Sequence, residues 1–332
     1  MQFKTTILSL LAGGLMLSAC KTEDPSALGG LVPRTVDQDA SLPSIRVNGT
    51  HLHAETFGNP ANPMLVVLHG GPGSDYRYML NARAFANAGY YVVFYDQRGS
   101  GLSKRHDKAS YRLGLMEEDL NAVIAHYRTS ASQKVFLLGH SWGAMLTSAY
   151  INVNPTRISG AILAEPGGLV LDDIVAYVAR SRSVKPSSET FNDPLYVEQF
   201  FTGRANQHEI LDYRLAVWSA SEGATDSPTG DRSGGPLSFW RPGWVVNRAL
   251  FELAEKQGID WTTNLKQYKT KVLFVYSARN RAYGLAHAQK VSSAYPNVEL
   301  LRIDDAGHNM ITFPEDWAKF YPAALTYLNS LK

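Results

Sequence analysis

The sequence has one cysteine, almost no net charge and no apolar run of transmembrane length. Cys20 is the sole cysteine among 332 residues, so no disulfide can form within the chain. The formal net charge is only +2, and no basic cluster indicates a nucleic-acid partner. The chain also has no internal repeat and no low-complexity block. With 45% hydrophobic and 19% charged residues, it is typical of one large globular domain with an insertion.

The first nineteen residues have the pattern of a signal peptide. Lys4 supplies the positive charge, and the apolar stretch from Ile7 to Leu17 is too short and too interrupted by glycine to span a bilayer. The following Leu17-Ser18-Ala19-Cys20 resembles a bacterial lipobox, in which the cysteine is lipidated and becomes the new N-terminus. A plain signal peptide that ends near Ala19 is the alternative.

A tether is predicted to follow the signal peptide. Residues 20–43 are rich in Pro, Gly, Asp and Ser, which is typical of a flexible linker. We therefore expect a protein of the bacterial cell envelope that is held to a membrane only through a lipid on Cys20. The sequence leaves its oligomeric state open.

Beyond residue 43, apolar runs of strand length alternate with helical patterns. This alternation predicts an α/β fold with a mostly parallel sheet that is covered by helices on both faces. Asn48-Gly49 between two alternating runs predicts a hairpin at its start. The expected strands lie at 45–47, 51–55, 64–68, 90–95, 135–138, 158–164, 272–276 and 298–303.

The interval between the strand that ends at Ala164 and the strand that begins at Val272 is too long for one crossover. We therefore predict a helical cap over residues 170–262, inserted into a core formed by residues 44–169 and 263–332. The cap is rich in aromatic residues, some of which should line the substrate pocket.

Gly139-His140-Ser141-Trp142-Gly143 lies between a predicted strand and a predicted helix. In this context G-x-S-x-G predicts a nucleophile elbow, a sharp turn that exposes the serine hydroxyl at the end of the sheet. Ser141 is therefore the candidate nucleophile. An ordinary strand-to-helix turn is the alternative interpretation.

Three motifs together resemble the prolyl aminopeptidase (proline iminopeptidase) family of α/β-hydrolases. They are the elbow, His69-Gly70-Gly71-Pro72-Gly73 and Asp96-Gln97-Arg98-Gly99-Ser100-Gly101, in the order and spacing of that family. The resemblance covers most of the chain after residue 44 and is weakest in the cap. It implies an acyl-enzyme mechanism with no cofactor and no metal.

The resemblance also implies the other parts of the site. The backbone N–H groups of Trp142 and Gly71, with Gly70 as an alternative to Gly71, would form the oxyanion hole. The general base should come late in the chain, which favours His308 in the loop after the last predicted strand.

The acid is where this sequence departs from the family, whose members usually carry an aspartate after the strand that corresponds to residues 272–276. Here that position has Asn280 and no carboxylate. Glu165, at the end of the neighbouring predicted strand, precedes the histidine as the fold requires and has a longer side chain. We therefore expect a Ser141–His308–Glu165 triad; alternatives are Asn280 as a neutral orienter or a carboxylate of Asp172, Asp173 or Asp304.

Residues 215–223 of the predicted cap resemble the family's tryptophan-rich segment that ends in glutamate and glycine. The resemblance gives Glu222 the role of binding the substrate's free α-amino group and places Trp218 in the pocket. The second tryptophan of that segment is Ser221 here. The alternative is therefore that Glu222 is an exposed helix residue with no role in substrate binding.

The sequence thus predicts a serine hydrolase that releases an N-terminal residue, preferably proline, from small peptides. A capped esterase, amidase or lactonase acting on another small molecule is the second reading. A catalytically inactive binding protein, supported only by the missing acid at Asn280, is the third. Epoxide hydrolases and dehalogenases are disfavoured, because those enzymes carry an aspartate where Ser141 stands.

Overall fold

The computed structural model describes residues 30–181, 206–221, 227–232 and 240–332, with side chains up to residue 216 in the second range. In these residues a single sheet of eight strands forms the centre of the molecule. The strands are β1 (Ser44–Val47), β2 (Thr50–Phe57), β3 (Met64–Leu68), β4 (Tyr91–Tyr95), β5 (Val135–His140), β6 (Gly160–Ala164), β7 (Val272–Ser277) and β8 (Val298–Ile303).

The strand order is β1-β2-β4-β3-β5-β6-β7-β8. β1 and β2 form an antiparallel hairpin around Asn48-Gly49, and β2 also runs antiparallel to β4. All the remaining pairs are parallel. The predicted α/β fold, the opening hairpin and the mostly parallel sheet are therefore confirmed.

The described helices are α1 (Ala84–Asn87), α2 (Leu115–Tyr127), α3 (Trp142–Val153), α4 (Leu171–Ser181), α5 (Gln207–Ser221), α6 (Trp244–Gln257), α7 (Gly284–Ser292) and α8 (Pro314–Ser330). They cover both faces of the sheet. Successive side chains of a strand point to opposite faces, and accordingly Val66 and Val67 belong to two different apolar clusters. Both clusters are closed to solvent, which explains why the central strands read as continuous apolar runs.

Helices α4, α5 and α6 belong to the long interval between β6 and β7. α5 is held to the body by Asp212, a fully buried carboxylate that accepts hydrogen bonds from Arg105 Nε at 2.9 Å and Arg241 Nε at 2.7 Å. Two guanidinium groups on one carboxylate compensate the cost of removing its charge from water. This part of the insertion is therefore fixed by charge pairing as well as by apolar contact.

Part of the predicted tether packs against the body. Val36 is buried and its N–H donates to the carbonyl oxygen of Leu102, while the carbonyl of Pro33 accepts from Arg241. Residues before 44, Pro33 and Val36 among them, therefore also bond to the body. Residues 1–29, with the predicted signal peptide and Cys20, lie outside the described residues, and envelope attachment stays a prediction. None of the described helices combines the length and the apolar character that a membrane crossing requires.

Replacement of Leu137 by alanine tests the central role of β5. Leu137 is completely buried on this strand, and removal of a buried leucine side chain costs about 2–5 kcal/mol because a cavity remains. We expect the free energy of unfolding, measured by chemical denaturation, to fall by that amount. Val153→Ala is the control, since Val153 is 68% exposed and its loss should change the value by less than about 0.5 kcal/mol. Equal effects of the two substitutions would contradict the assignment of β5 to the core.

Candidate active site

Ser141 occupies a strained turn between β5 and α3. Its backbone angles are φ 56° and ψ −122°, a conformation that a residue with a side chain rarely adopts. Its N–H is held by the carbonyl of Ala164 at 2.8 Å. The flanking glycines are required sterically, because a Cβ on Gly139 would lie 2.4 Å from the carbonyl oxygen of Gly143 and one on Gly143 would lie 2.0 Å from that of Leu68. This is the geometry of a nucleophile elbow.

Glu165 and His308 lie together beside this turn. Nδ1 of His308 is 2.6 Å from Oε2 of Glu165, and Glu165 is fully buried. Since a carboxylate only accepts, Nδ1 carries the proton and Nε2 of the neutral ring is left as an acceptor. Glu165 directly follows β6 and His308 lies in the loop after β8. The two residues therefore come from strands that are separated by β7 at the carboxyl edge of the sheet.

Four donors fix the Glu165 carboxylate. Oε1 accepts from the backbone N–H of Ser277 at 2.7 Å and from its hydroxyl at 2.6 Å. Oε2 accepts from Nδ2 of Asn280 at 2.8 Å as well as from His308. Asn280, in the loop after β7, therefore orients the glutamate and not the histidine. A fully hydrogen-bonded carboxylate can stay charged although it is buried.

The other carboxylates considered from the sequence are engaged elsewhere. Asp172 is exposed on α4, Asp173 pairs with Lys290, and Asp304 pairs with Arg302 at 2.7 Å. Among the described carboxylates named as candidate acids, the structure brings only Glu165 to His308.

The charge of Glu165 changes the proton affinity of His308. Burial alone would lower the pKa of His308, but the hydrogen bond to Glu165, the charge of Glu165 and the charge of Asp231 outweigh it and raise that pKa above its ordinary value. The site therefore stabilises the imidazolium form, which a general base reaches after it has taken a proton.

His140, the second residue of the elbow, is connected to both neighbouring loops. Its Nε2 donates to the carbonyl oxygen of His308 at 2.7 Å. Burial and the nearby His308 keep the pKa of His140 well below its usual range, so the ring is neutral and Nδ1 is unprotonated. The hydroxyl of Tyr78 donates to Nδ1 at 2.8 Å, and that hydroxyl accepts the N–H of Gly70 at 2.7 Å. The elbow thereby holds the glycine loop on one side and the histidine loop on the other.

The geometry also bears on the predicted oxyanion hole. Trp142 is the first residue of α3, where backbone N–H groups have no partner within the helix. Its indole Nε1 donates to Gln97 Oε1 at 2.8 Å, which ties the start of the helix to the Asp96-Gln97-Arg98 loop. A Cβ on Gly70 would lie 3.1 Å from the Cβ of Ser141, so the glycine loop passes close to Ser141. Because the N–H of Gly70 is used by Tyr78, the geometry favours Gly71 as the second donor.

The ring of His308 lies next to the elbow, with a centroid distance of 4.6 Å to the ring of His140. Within the described residues no hydrogen bond joins Ser141 Oγ to His308. Such bonds are often long without substrate and shorten in the reactive complex. Glu222 and the side chain of Trp218, both predicted to bind the substrate, lie outside the part of the chain that the structure describes.

Ser277, Tyr78 and Tyr177 were not found from the sequence, and Asn280 was considered only as a partner of the histidine. Ser277 and Asn280 hold Glu165, and Tyr78 holds the glycine loop. Tyr177 Oη adds a longer contact of 3.4 Å to His308 Nδ1. None of these residues belongs to a sequence motif, and only their position after predicted strands or near the glycine loop could have indicated them. The described residues contain no cluster of three His, Cys, Asp or Glu side chains that could hold a metal ion.

The chain matches the α/β hydrolase fold family over residues 63–313, which is more than half of its length, and it belongs to that family. It is 30% identical over 275 residues to the AB hydrolase superfamily protein YfhM of Bacillus subtilis, with 80% of this chain and 90% of that protein covered.

Two further relatives are similar over a shorter stretch. The chain is 33% identical to epoxide hydrolase B of Mycobacterium tuberculosis over 121 residues, which are 36% of this chain and 33% of that protein. It is 36% identical to the proline iminopeptidase of Thermoplasma volcanium over 105 residues, which are 32% of this chain and 34% of that protein. The chain thus spans about a third of the length of these relatives. The crystal structure of a proline iminopeptidase from Mycobacterium smegmatis superimposes with a TM-score of 0.57, at 15% identity, over 87% of this chain and 98% of that one. This last match shows the shared fold.

The link between Glu165 and His308 can be tested without a substrate. In Glu165→Gln the negative charge beside Nδ1 is lost, so the pKa of His308, followed by NMR, should fall by about one to three units. Glu118→Gln is the matched control, because Glu118 pairs with Arg112 on the exposed surface of α2. If His308 titrates at the same pH in both variants, Glu165 does not set its charge state.

Proposed function

We propose that the protein is a serine hydrolase in which Ser141 is the nucleophile, His308 the general base and Glu165 the acid that supports it. The observation that carries the proposal is the 2.6 Å bond between Glu165 and His308, made at a strained serine turn. A structural role alone would not require a buried imidazole–carboxylate pair beside an elbow serine, and such pairs concentrate at catalytic sites.

The proposed reaction follows from the positions of the protons. Nε2 of His308 takes the proton of the Ser141 hydroxyl as Oγ attacks the acyl carbonyl, and the resulting imidazolium is stabilised by Glu165 through Nδ1–H. The carbonyl oxygen becomes an oxyanion that accepts hydrogen bonds from the N–H groups of Trp142 and Gly71. His308 then returns its proton to the leaving group, which departs and leaves an acyl-enzyme. Water, deprotonated by His308, hydrolyses the ester in the same two steps and frees Ser141.

For the substrate we propose a small peptide with a free N-terminus, preferably proline. This rests on the three motifs shared with the proline iminopeptidase family and on the similarity to named members of it. Glu222 would bind the substrate's ammonium group and Trp218 would contact its side chain. A carboxylate removed from water would favour such a cation over an uncharged ester.

Hydrolysis of a small ester, amide or lactone is the second candidate. It is favoured because similarity to a proline iminopeptidase at more than 30% identity is confined to part of the protein, about a third for that of Thermoplasma. Epoxide hydrolysis is not proposed despite the similarity to epoxide hydrolase B, because the residue at the elbow is Ser141 and not an aspartate. The inactive binding protein is not proposed, because its only support is the missing carboxylate at Asn280 and His308 is bonded to another carboxylate, that of Glu165.

A fluorophosphonate probe tests the proposed nucleophile. We expect it to modify the wild-type protein at Ser141 only, and to leave Ser141→Ala unlabelled. Labelling of Glu165→Gln should be slower by about 10²–10⁴-fold, because the base then lacks its charged partner. Ser130→Ala, at an exposed loop, should label like the wild type. A wild-type protein that stays unmodified, or a modification that persists in Ser141→Ala, would exclude the proposed mechanism.

A substrate panel tests the proposed specificity. Prolyl, alanyl and N-blocked prolyl arylamides are compared with p-nitrophenyl esters, and we expect the free-amine prolyl arylamide to be cleaved best and the blocked one not at all. Glu222→Ala should raise KM for the free-amine substrates by about 10–100-fold and leave the esters unchanged, because a charged hydrogen bond is lost only for the amine.

Glu255→Ala, at an exposed position of α6, is the control for that substitution. Cleavage of the esters alone would favour the second candidate. An equal effect of Glu222→Ala on esters and arylamides would remove the role given to Glu222.

A further inference from the structure

We propose that Asp231, which belongs to the insertion between β6 and β7, is a positioning residue for His308 and a second negative charge that supports its imidazolium. This inference rests on the proposed function for its catalytic meaning, but the contacts that carry it do not depend on that function. Neither the sequence motifs nor the family resemblance points to this residue.

The segment from Ser227 to Arg232 is bonded directly to the histidine loop. The N–H of His308 donates to the carbonyl oxygen of Thr229 at 2.9 Å. The N–H of the next residue, Asn309, donates to Oδ1 of Asp231 at 2.6 Å. The hydroxyl of Thr229 in turn donates to Oδ2 of Asp231 at 2.9 Å, which fixes the carboxylate. Two consecutive N–H groups of the histidine loop are thus satisfied by one short segment.

Backbone contacts on both sides show that this segment fits closely. A Cβ on Gly307 would lie 2.3 Å from the carbonyl oxygen of Gly230, and a Cβ on Gly230 would lie 2.3 Å from that of Arg279. The segment therefore lies between the loop that carries His308 and the loop after β7. At Gly307 and Gly230 the backbones lie so close that a Cβ atom would not fit between them. This close packing leaves the histidine loop little freedom to shift.

The charge of Asp231 has no cation to neutralise it among the described residues. Its neighbour Arg232 instead pairs with Asp316 at 2.7 Å and donates to the carbonyl oxygen of Asp305. Burial raises the pKa of Asp231, while the charge of His308 and the bonds from Asn309 and Thr229 act against that shift. In return, the charge of Asp231 contributes to the raised pKa of His308.

Three other titratable groups lie around the His308 ring. Glu165 bonds to Nδ1, Tyr177 from α4 contacts the same nitrogen through a hydroxyl with a pKa raised by burial, and His140 is neutral. Among the described residues, the charges that act on the ring are therefore those of Glu165 and Asp231. Glu165 bonds directly to the imidazole ring of His308. Asp231 bonds to the backbone N–H of Asn309, and its charge acts on the ring at a distance.

The test is Asp231→Asn, which keeps an acceptor for Asn309 but removes the charge. His308 must be neutral to act as a base, so the acid limb of kcat/KM reports its pKa. With one negative charge removed, that pKa falls, and the limb should move to lower pH by about 0.3–1 unit. We expect kcat to fall about three- to tenfold with KM unchanged, and the pKa of His308 measured by NMR to fall by the same amount as the limb.

Asp231→Ala also removes the acceptor for Asn309 and should lower kcat by about tenfold or more. Asp304→Asn is the matched control, because Asp304 lies four residues before His308 but is exposed and paired with Arg302. It should leave kcat and the acid limb unchanged.

An unchanged His308 pKa in both Asp231 variants would overturn the inference, as would a shift of equal size in Asp304→Asn. The NMR titration needs no substrate, so it separates the two proposals. If the protein hydrolyses nothing on the panel and resists the fluorophosphonate, but Asp231→Asn lowers the His308 pKa, the proposed function fails while the link between Asp231 and His308 holds.

Discussion

The short bond between Glu165 and His308 is the interaction on which the site depends. It crosses from the end of β6 to the loop after β8 and is made inside the protein, where a lone carboxylate would be costly. The cost is offset because Ser277 and Asn280 supply further donors to the same carboxylate. Loss of any one of these donors would leave the buried charge of Glu165 with too few hydrogen bonds. The positions of the loops that carry Glu165, Asn280 and His308 therefore depend on one another.

The parallel sheet explains how a residue that follows β6 can bond to a histidine that follows β8. β6 and β7 are neighbours in register, and both end at the edge where His308 arrives from β8. A carboxylate at either end can therefore reach the same imidazole, provided that its side chain has the required length. In this chain the glutamate follows β6, the more distant of the two strands, and the amide of Asn280, after β7, donates to it. The backbone of Glu165, at φ 46°, is bent to direct the side chain.

The sequence predicted the parts that have a strong local or periodic signal. Continuous apolar runs defined the central strands because both faces of the sheet are buried, and Asn48-Gly49 defined the first hairpin. His308 could be selected because the family resemblance implies a base late in the chain, and Glu165 because it ends the strand next to the one that usually carries the family's acid. What could not be predicted depends on contacts between distant segments. Tyr78 meets His140 across 62 residues, and Asp231 meets Asn309 across 78. Pro33 and Val36 have the composition of a linker, yet pack on the body because Arg241 and Leu102 offer partners for their backbone.

His140 has a consequence for how such a site can diverge. Because this one imidazole bonds the hydroxyl that holds Gly70 and also the carbonyl of His308, a substitution at residue 140 disturbs the glycine loop and the histidine loop together. The positions of the two loops cannot change independently during evolution while His140 is present. A descendant with a wider gap between them would first have to replace His140 and then acquire new partners for both loops.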